Sequence, residues 1–283
     1  MIEAHRFAGP EPGPSVLLLG GVHGEERPGQ RGLDRLAADL RAGRVRLGRG
    51  GVTVVPRVNA AAAALRAHRV DENLNRIVRR HDEPRTHEQA LANALLPLLD
   101  AADAVLDLHG TPAPSVPFAF LDDESAGTRA WAEALGAPYL VAGWPALYAE
   151  GGTTTTTEYA QARGKRALTV EAGQNDDPAA AEFAHACALR TLAHFGLTAP
   201  AAAAATPRLL RLTRLVAREG GDSFARPWSN FDAVRKGELL ARRAGGEELR
   251  APEDCVIVMP FEEAGRGDEW FYLAVTGRAS PPA

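Results

Sequence analysis

The sequence predicts an α/β protein, a sheet with helices packed on both faces, followed by a small all-β unit. Three observations carry that prediction. Over residues 1–198, short apolar runs alternate with stretches whose apolar residues recur at helical spacing. Three of those runs end in groups capable of chemistry, at His23 with Glu26, at His109 and at Glu171. Beyond residue 207 the pattern changes to short strand-like runs without a helix among them. Residues 1–198 and 207–283 are therefore read as two domains, joined by the alanine- and proline-rich stretch that begins at Ala199-Pro200.

Taken in order, Val16–Leu19 is a continuous apolar run that stops in Gly20-Gly21, which predicts a buried strand ending in a tight turn. Leu33, Leu36, Ala37 and Leu40 then recur at helical spacing after Pro28-Gly29. A second strand is expected over Val52–Val58, followed by an alanine-rich stretch and a polar loop from Val70 to Arg76. Thr86 is placed to cap a helix running to about Leu99. A third strand, Ala104–Leu108, delivers His109-Gly110, and shorter strands are expected at Phe118–Leu121 and Tyr139–Ala142. Gly151-Gly152 and the five threonines from Thr153 to Thr157 read as a loop entering a short helix with Glu158 and Tyr159. Ala167–Val170 is a further strand ending at Glu171, and Pro178 opens a helix to Phe195. In the second domain, strands are expected at Leu209–Ala217, Glu238–Ala241, Cys255–Met259 and Trp270–Val275.

Composition excludes several classes of function. The chain has 283 residues, is 45% hydrophobic and carries a formal net charge of -4 with no long basic run, which argues against nucleic acid as the main partner. Its only lysines are Lys165 and Lys236. The two cysteines, Cys187 and Cys255, fall in different domains, so a disulfide framework is not expected and a reducing compartment is. No apolar run is long enough to cross a bilayer, and the first residues do not read as a signal peptide. The expectation is a cytoplasmic protein without membrane or nucleic-acid partners.

The ends of the three apolar runs hold the chemistry. Two imidazoles and a carboxylate make up the ligand set of a catalytic zinc site, with a fourth position left for water. Each imidazole alone would pass as a structural one. Together they lie where an open α/β sheet places its ligand crevice, at the carboxyl ends of strands. Glu171 is the carboxylate free to act as base and then acid. The amide and guanidinium of Asn75 and Arg76 match a substrate carboxylate, although Arg76 could also pair with Asp71 or Glu72.

Four segments in order resemble the succinylglutamate desuccinylase/aspartoacylase family of the zinc carboxypeptidase superfamily. They are Gly21-Val22-His23-Gly24-Glu25-Glu26, Asn73-Leu74-Asn75-Arg76, Asp107-Leu108-His109-Gly110 and Thr169-Val170-Glu171-Ala172-Gly173. The resemblance implies a three-layer mixed sheet of the zinc carboxypeptidase type and one Zn²⁺ held by His23, Glu26 and His109. It also implies Asn75 and Arg76 as the substrate grip and Glu171 as the catalytic carboxylate. The family places an arginine seven residues before the motif asparagine to stabilise an oxyanion. Here that position is His68, with Arg69 beside it, so either can fill the role. The motif aspartate is replaced by Asn73, and Arg163 is a further candidate for an acidic substrate side chain. The implied activity is hydrolysis of an amide next to a carboxylate, deacylating an N-acyl amino acid. A peptide-trimming carboxypeptidase and a non-catalytic carboxylate-binding protein are the rivals. The small domain is expected to wall the cleft or to make subunit contacts in a homo-oligomer.

Overall fold

The computed structural model describes residues 2–148 and 154–277. The expected turn at Gly151-Gly152-Thr153 lies outside the described residues. The first part of the chain runs β1 (His5–Ala8), β2 (Glu11–Gly20), α1 (Arg27–Arg41), β3 (Arg49–Val55) and α2 (Ala60–Leu65). A single 3₁₀ turn, Leu74–Arg76, precedes α3 (His87–Ala101) and β4 (Ala104–Thr111). Then come β5 (Phe118–Phe120), α4 (Ala126–Ala134), β6 (Tyr139–Ala142), α5 (Trp144–Leu147), α6 (Thr156–Gln161), β7 (Arg166–Gln174) and α7 (Pro178–His194). The remainder is all β: β8 (Arg208–Ala217), β9 (Ser223–Phe224), β10 (Ala233–Val234), β11 (Leu239–Arg242), β12 (Glu248–Arg250), β13 (Cys255–Val258) and β14 (Glu269–Thr276).

Among the described residues, eleven strands form one mixed sheet in the order β1-β3-β2-β4-β7-β5-β6-β8-β14-β13-β10. Its centre is parallel, with β2 between β3 and β4, and β4 beside β7. Parallel strands covered on both faces read as unbroken apolar runs, which is why Val16–Leu19 and Ala104–Leu106 do not alternate. Val16 and Leu18 pack against Leu33 and Leu36 of α1 and Ala184 and Cys187 of α7. Leu17 and Leu19 face the other way, onto Leu95 and Leu99 of α3 and Ala160 of α6. Burying each such leucine contributes roughly 2 kcal/mol. These two helical layers make the three-layer architecture expected from the sequence.

The helix starts follow their local chemistry. Thr86 accepts from the Gln89 N–H, Asp177 accepts from the Ala179 N–H ahead of Pro178, and Thr155 and Glu158 form a reciprocal capping box on α6. Three strand ends differ from expectation. β3 stops at Val55 because Pro56 cannot donate into the ladder. β4 continues through His109 to Thr111, and β7 through Glu171 to Gln174, so both residues lie within paired strands instead of beyond them.

After residue 207 the chain does not leave the sheet. β8 pairs in parallel with β6, and β14, β13 and β10 add antiparallel strands beyond it. A separate three-stranded sheet, β12-β11-β9, closes over Trp228, Ile257, Trp270 and Phe271. Cys187 and Cys255 are both free and buried.

Candidate active site

The site begins where β2 stops. Gly21 turns the chain with φ near +60°, a left-handed conformation that suits glycine, and Val58 and Asn59 donate their N–H groups to the Gly20 and Gly21 carbonyls. Gly24 then passes so close to α2 that a Cβ there would stand 2.1 Å from the carbonyl carbon of Ala62. This turn delivers His23 and Glu26 to the carboxyl end of the sheet. Gln30, from the first turns of α1, ties it down by donating to the Gly24 and Glu26 carbonyls at 2.9 and 3.1 Å.

His23, Glu26 and His109 converge in the buried interior. The Glu26 oxygens lie 2.7 Å from His23 Nδ1 and 2.8 Å from His109 Nδ1. Each imidazole rests its other nitrogen against an acceptor oxygen. His23 Nε2 donates to Asn73 Oδ1 at 3.1 Å, and His109 Nε2 stands 3.0 Å from Asp107 Oδ2 without the alignment of a hydrogen bond. Such partners fix which ring nitrogen is left for a metal. Glu26 thus stands between two imidazole Nδ1 atoms, and a cation could replace the protons that these contacts share. The electrostatics agree. Burial pulls the His23 imidazole below its ordinary pKa. Burial also opposes the other two shifts, yet Glu26 is held far below the carboxylate range by the two imidazoles, and His109 is raised by Asp107 and Glu26. The donor set therefore fits a divalent metal of the zinc type.

Glu171 stands opposite His109 in the parallel β4–β7 register. It is buried, its Oε2 has no hydrogen-bond partner among the described residues, and burial pushes its carboxyl well above the usual range, helped by Glu26 and Asp107. Both lie on the wall of a cavity of about 340 Å³.

The substrate segment reaches the same cavity. Asn75 lines it, and its Oδ1 accepts from the Thr156 N–H at 3.0 Å, which leaves the amide NH₂ to donate. Arg76 lines it too, but pairs with neither Asp71 nor Glu72. Its Nε and Nη2 donate to Glu269 of β14 at 2.6 to 3.0 Å, and Nη1 donates to the Asn75 carbonyl at 2.8 Å. His68 also lines the cavity, with Nδ1 donating to Glu25 Oε1 at 2.7 Å and its ring stacked 3.8 Å from that of His23. Arg69, by contrast, is exposed and does not line the cavity. Arg163 stacks on Tyr159 beside Asp100, away from it.

Several contributors were not singled out from the sequence. Asp107 is fully buried and accepts from Thr156 Oγ1 at 2.5 Å, so the threonine run props the support of His109. Its position two residues before His109 on a strand was the available signal, since that spacing shares a face. Glu88 of α3 holds the 70–73 loop, accepting from the Val70, Asp71 and Glu72 N–H groups and from Asn59 Nδ2. Asp122, Glu269 and Tyr272 line the cavity from remote segments, with no local signal.

Comparison with known proteins agrees with this geometry. The curated N-alpha-acetyl-L-2,4-diaminobutyric acid deacetylase of Halomonas elongata is 37% identical over 139 residues, which are 46% of this chain and 40% of that protein. The alignment thus spans less than half of the relative's length. The crystal structure of a succinylglutamate desuccinylase/aspartoacylase from Rhodobacter sphaeroides superposes with a TM-score of 0.79 at 26% identity, covering 98% of this chain and 89% of that one. The product-bound ectoine utilization protein EutE of Ruegeria pomeroyi gives 0.79 at 25% identity with the same coverage. Residues 12–195 match the succinylglutamate desuccinylase/aspartoacylase catalytic domain, and the chain belongs to that family.

Proposed function

We propose that this protein is a zinc-dependent amidohydrolase that removes the acyl group from an N-acyl amino acid. What carries this is the buried cluster: two imidazole Nδ1 atoms converge on Glu26, and Glu171, with an unpartnered oxygen, stands in register beside them. The family and the name of the Halomonas deacetylase point the same way. His23, Glu26 and His109 would hold the zinc, which supplies a Lewis acid that acidifies water and polarises an acyl carbonyl.

The other roles belong to the chain. Glu171 takes a proton from the attacking water and passes it to the departing amine as the C–N bond breaks. Asn73 and Asp107 keep the two imidazoles oriented. His68 lines the cavity where exposed Arg69 does not, and it takes the oxyanion role by turning its Nδ1–H from Glu25 toward the developing charge, while its Nε2 accepts from the Asn73 amide at 3.3 Å. The Asn75 amide and the last N–H of Arg76 receive the substrate carboxylate.

The test is a hydrolysis screen of zinc-loaded protein over N-acetyl and N-succinyl amino acids, with N-acetyl-2,4-diaminobutyrate among them, short peptides as competitors and a chelator control. Release of the free amino acid, stopped by chelation and restored by zinc, is the expected result. Turnover confined to peptides would replace this reading with a metallocarboxypeptidase. Tight carboxylate binding by metal-free protein without turnover would replace it with a binding protein.

A further inference from the structure

The charges around the cavity bear on which amino acid is deacylated. Among the described residues Arg76 is the only arginine or lysine on its wall, and Glu269 already matches that charge. Of its five N–H groups, only one on Nη1 remains after the bonds to Glu269 and to the Asn75 carbonyl. Its guanidinium is further held over the rings of Trp144 and Tyr148, 5.1 and 5.6 Å from their centroids. Among the described residues the cavity therefore offers one guanidinium for a carboxylate, at Asn75 and Arg76, and no second arginine or lysine for another. Arg163, the other basic residue considered for that purpose, is engaged elsewhere.

Asp122 presents the opposite imbalance. It follows β5, lines the same cavity near Phe120 and Trp144, and has no ion-pair partner among the described residues. Its Oδ1 is buried without a hydrogen bond. Burial, reinforced by Glu158, pushes its carboxyl up to about 7. A half-buried carboxyl with one buried, unpartnered oxygen lowers its free energy by meeting a positive charge.

We infer that the amino-acid side chain of the substrate is cationic, an ammonium on a short aliphatic stem, and that Asp122 is the residue that selects it. This rests on the deacylase reading and narrows its substrate to monocarboxylates of the diamino-acid class. A substrate with an acidic side chain would bring a second anion into a cavity that holds Asp122 and an already matched Arg76. A neutral side chain would leave the buried Asp122 Oδ1 unmatched.

The experiment compares kcat/KM of the zinc-loaded protein for Nα-acetylornithine, Nα-acetylnorvaline and Nα-acetylglutamate. Ornithine and norvaline differ chiefly in the terminal ammonium. The expected order is ornithine first, by at least about tenfold over norvaline, and glutamate last. Asp122→Asn should bring the ornithine-to-norvaline ratio to about one. Because both rates come from the same preparation, loss of folded protein would not move that ratio. Equal rates for the three substrates, a preference for glutamate, or an ornithine preference that survives Asp122→Asn would overturn the assignment while leaving the deacylase reading intact. Failure to hydrolyse any N-acyl amino acid would overturn both.

Discussion

Glu88→Gln tests how the loop that carries His68 and Asn73 is held. In the structure one fully buried carboxylate accepts four donors, the Val70, Asp71 and Glu72 N–H groups at 2.8, 3.0 and 3.2 Å and Asn59 Nδ2 at 2.9 Å. Glutamine has the same shape but offers one carbonyl oxygen and one NH₂, so two of the four donors would face another donor. Losing two hydrogen bonds to a charged acceptor costs about 3 kcal/mol at the lower end of the usual range. At this chain length about 2 °C of Tm accompanies each kcal/mol, giving a fall of about 6 °C. Burial opposes ionisation of Glu88, but the four donors prevail and hold its pKa below the ordinary value. A group depressed in this way stabilises the fold above its unfolded value of about 4.3 and ceases to do so as pH falls through its lower folded value. The gap between wild type and variant should therefore be full at pH 7 and shrink as pH falls below about 4, the unfolded carboxyl's range. Urea denaturation with a chelator present, followed by tryptophan fluorescence across that range, measures it. A gap under about 1 kcal/mol at pH 7, or one that stays constant into acid, would refute this account of the loop.

Other outcomes follow from the site. Glu171→Gln should retain zinc by elemental analysis while kcat falls about 10²- to 10⁴-fold, since only the proton carrier is removed. His68→Ala should lower kcat about 10²-fold, and Arg69→Ala should cost at least about tenfold less than that, which steady-state kinetics on one N-acyl amino acid will separate. Gly24→Ala places a methyl group 2.1 Å from the Ala62 carbonyl carbon, so the turn bearing His23 must move. Thermal melting should show a loss of about 1–3 kcal/mol, and zinc titration a weaker site.

The parts of this molecule that could be read from the chain were those set by local pattern. Val16–Leu19 and Ala104–Leu108 were legible as strands because a parallel core strand is apolar on both faces. Thr86 and Pro178 were legible as helix starts because capping chemistry is local. The segments holding His23, Glu26, His109 and Glu171 were legible because a family's order of motifs survives in sequence. What could not be read depends on pairing at a distance. The change of pattern after residue 207 was visible, but the parallel docking of β8 on β6 was not. Arg76 was visible, but its partner lies 193 residues away on β14. Asp122 carries no motif, and only the assembled cavity shows that among the described residues no arginine or lysine other than Arg76 shares its wall.

That the sheet passes from β6 to β8, on either side of the 199–207 connection, has a consequence for anyone dissecting the chain. A fragment ending at residue 198 would bare the outer edge of β6, which β8 normally occupies, and would strip the Glu269 carboxylate from Arg76. A naked strand edge invites pairing with another copy. Such a fragment would be sticky as well as inactive, and the halves are better studied by point substitution than by excision.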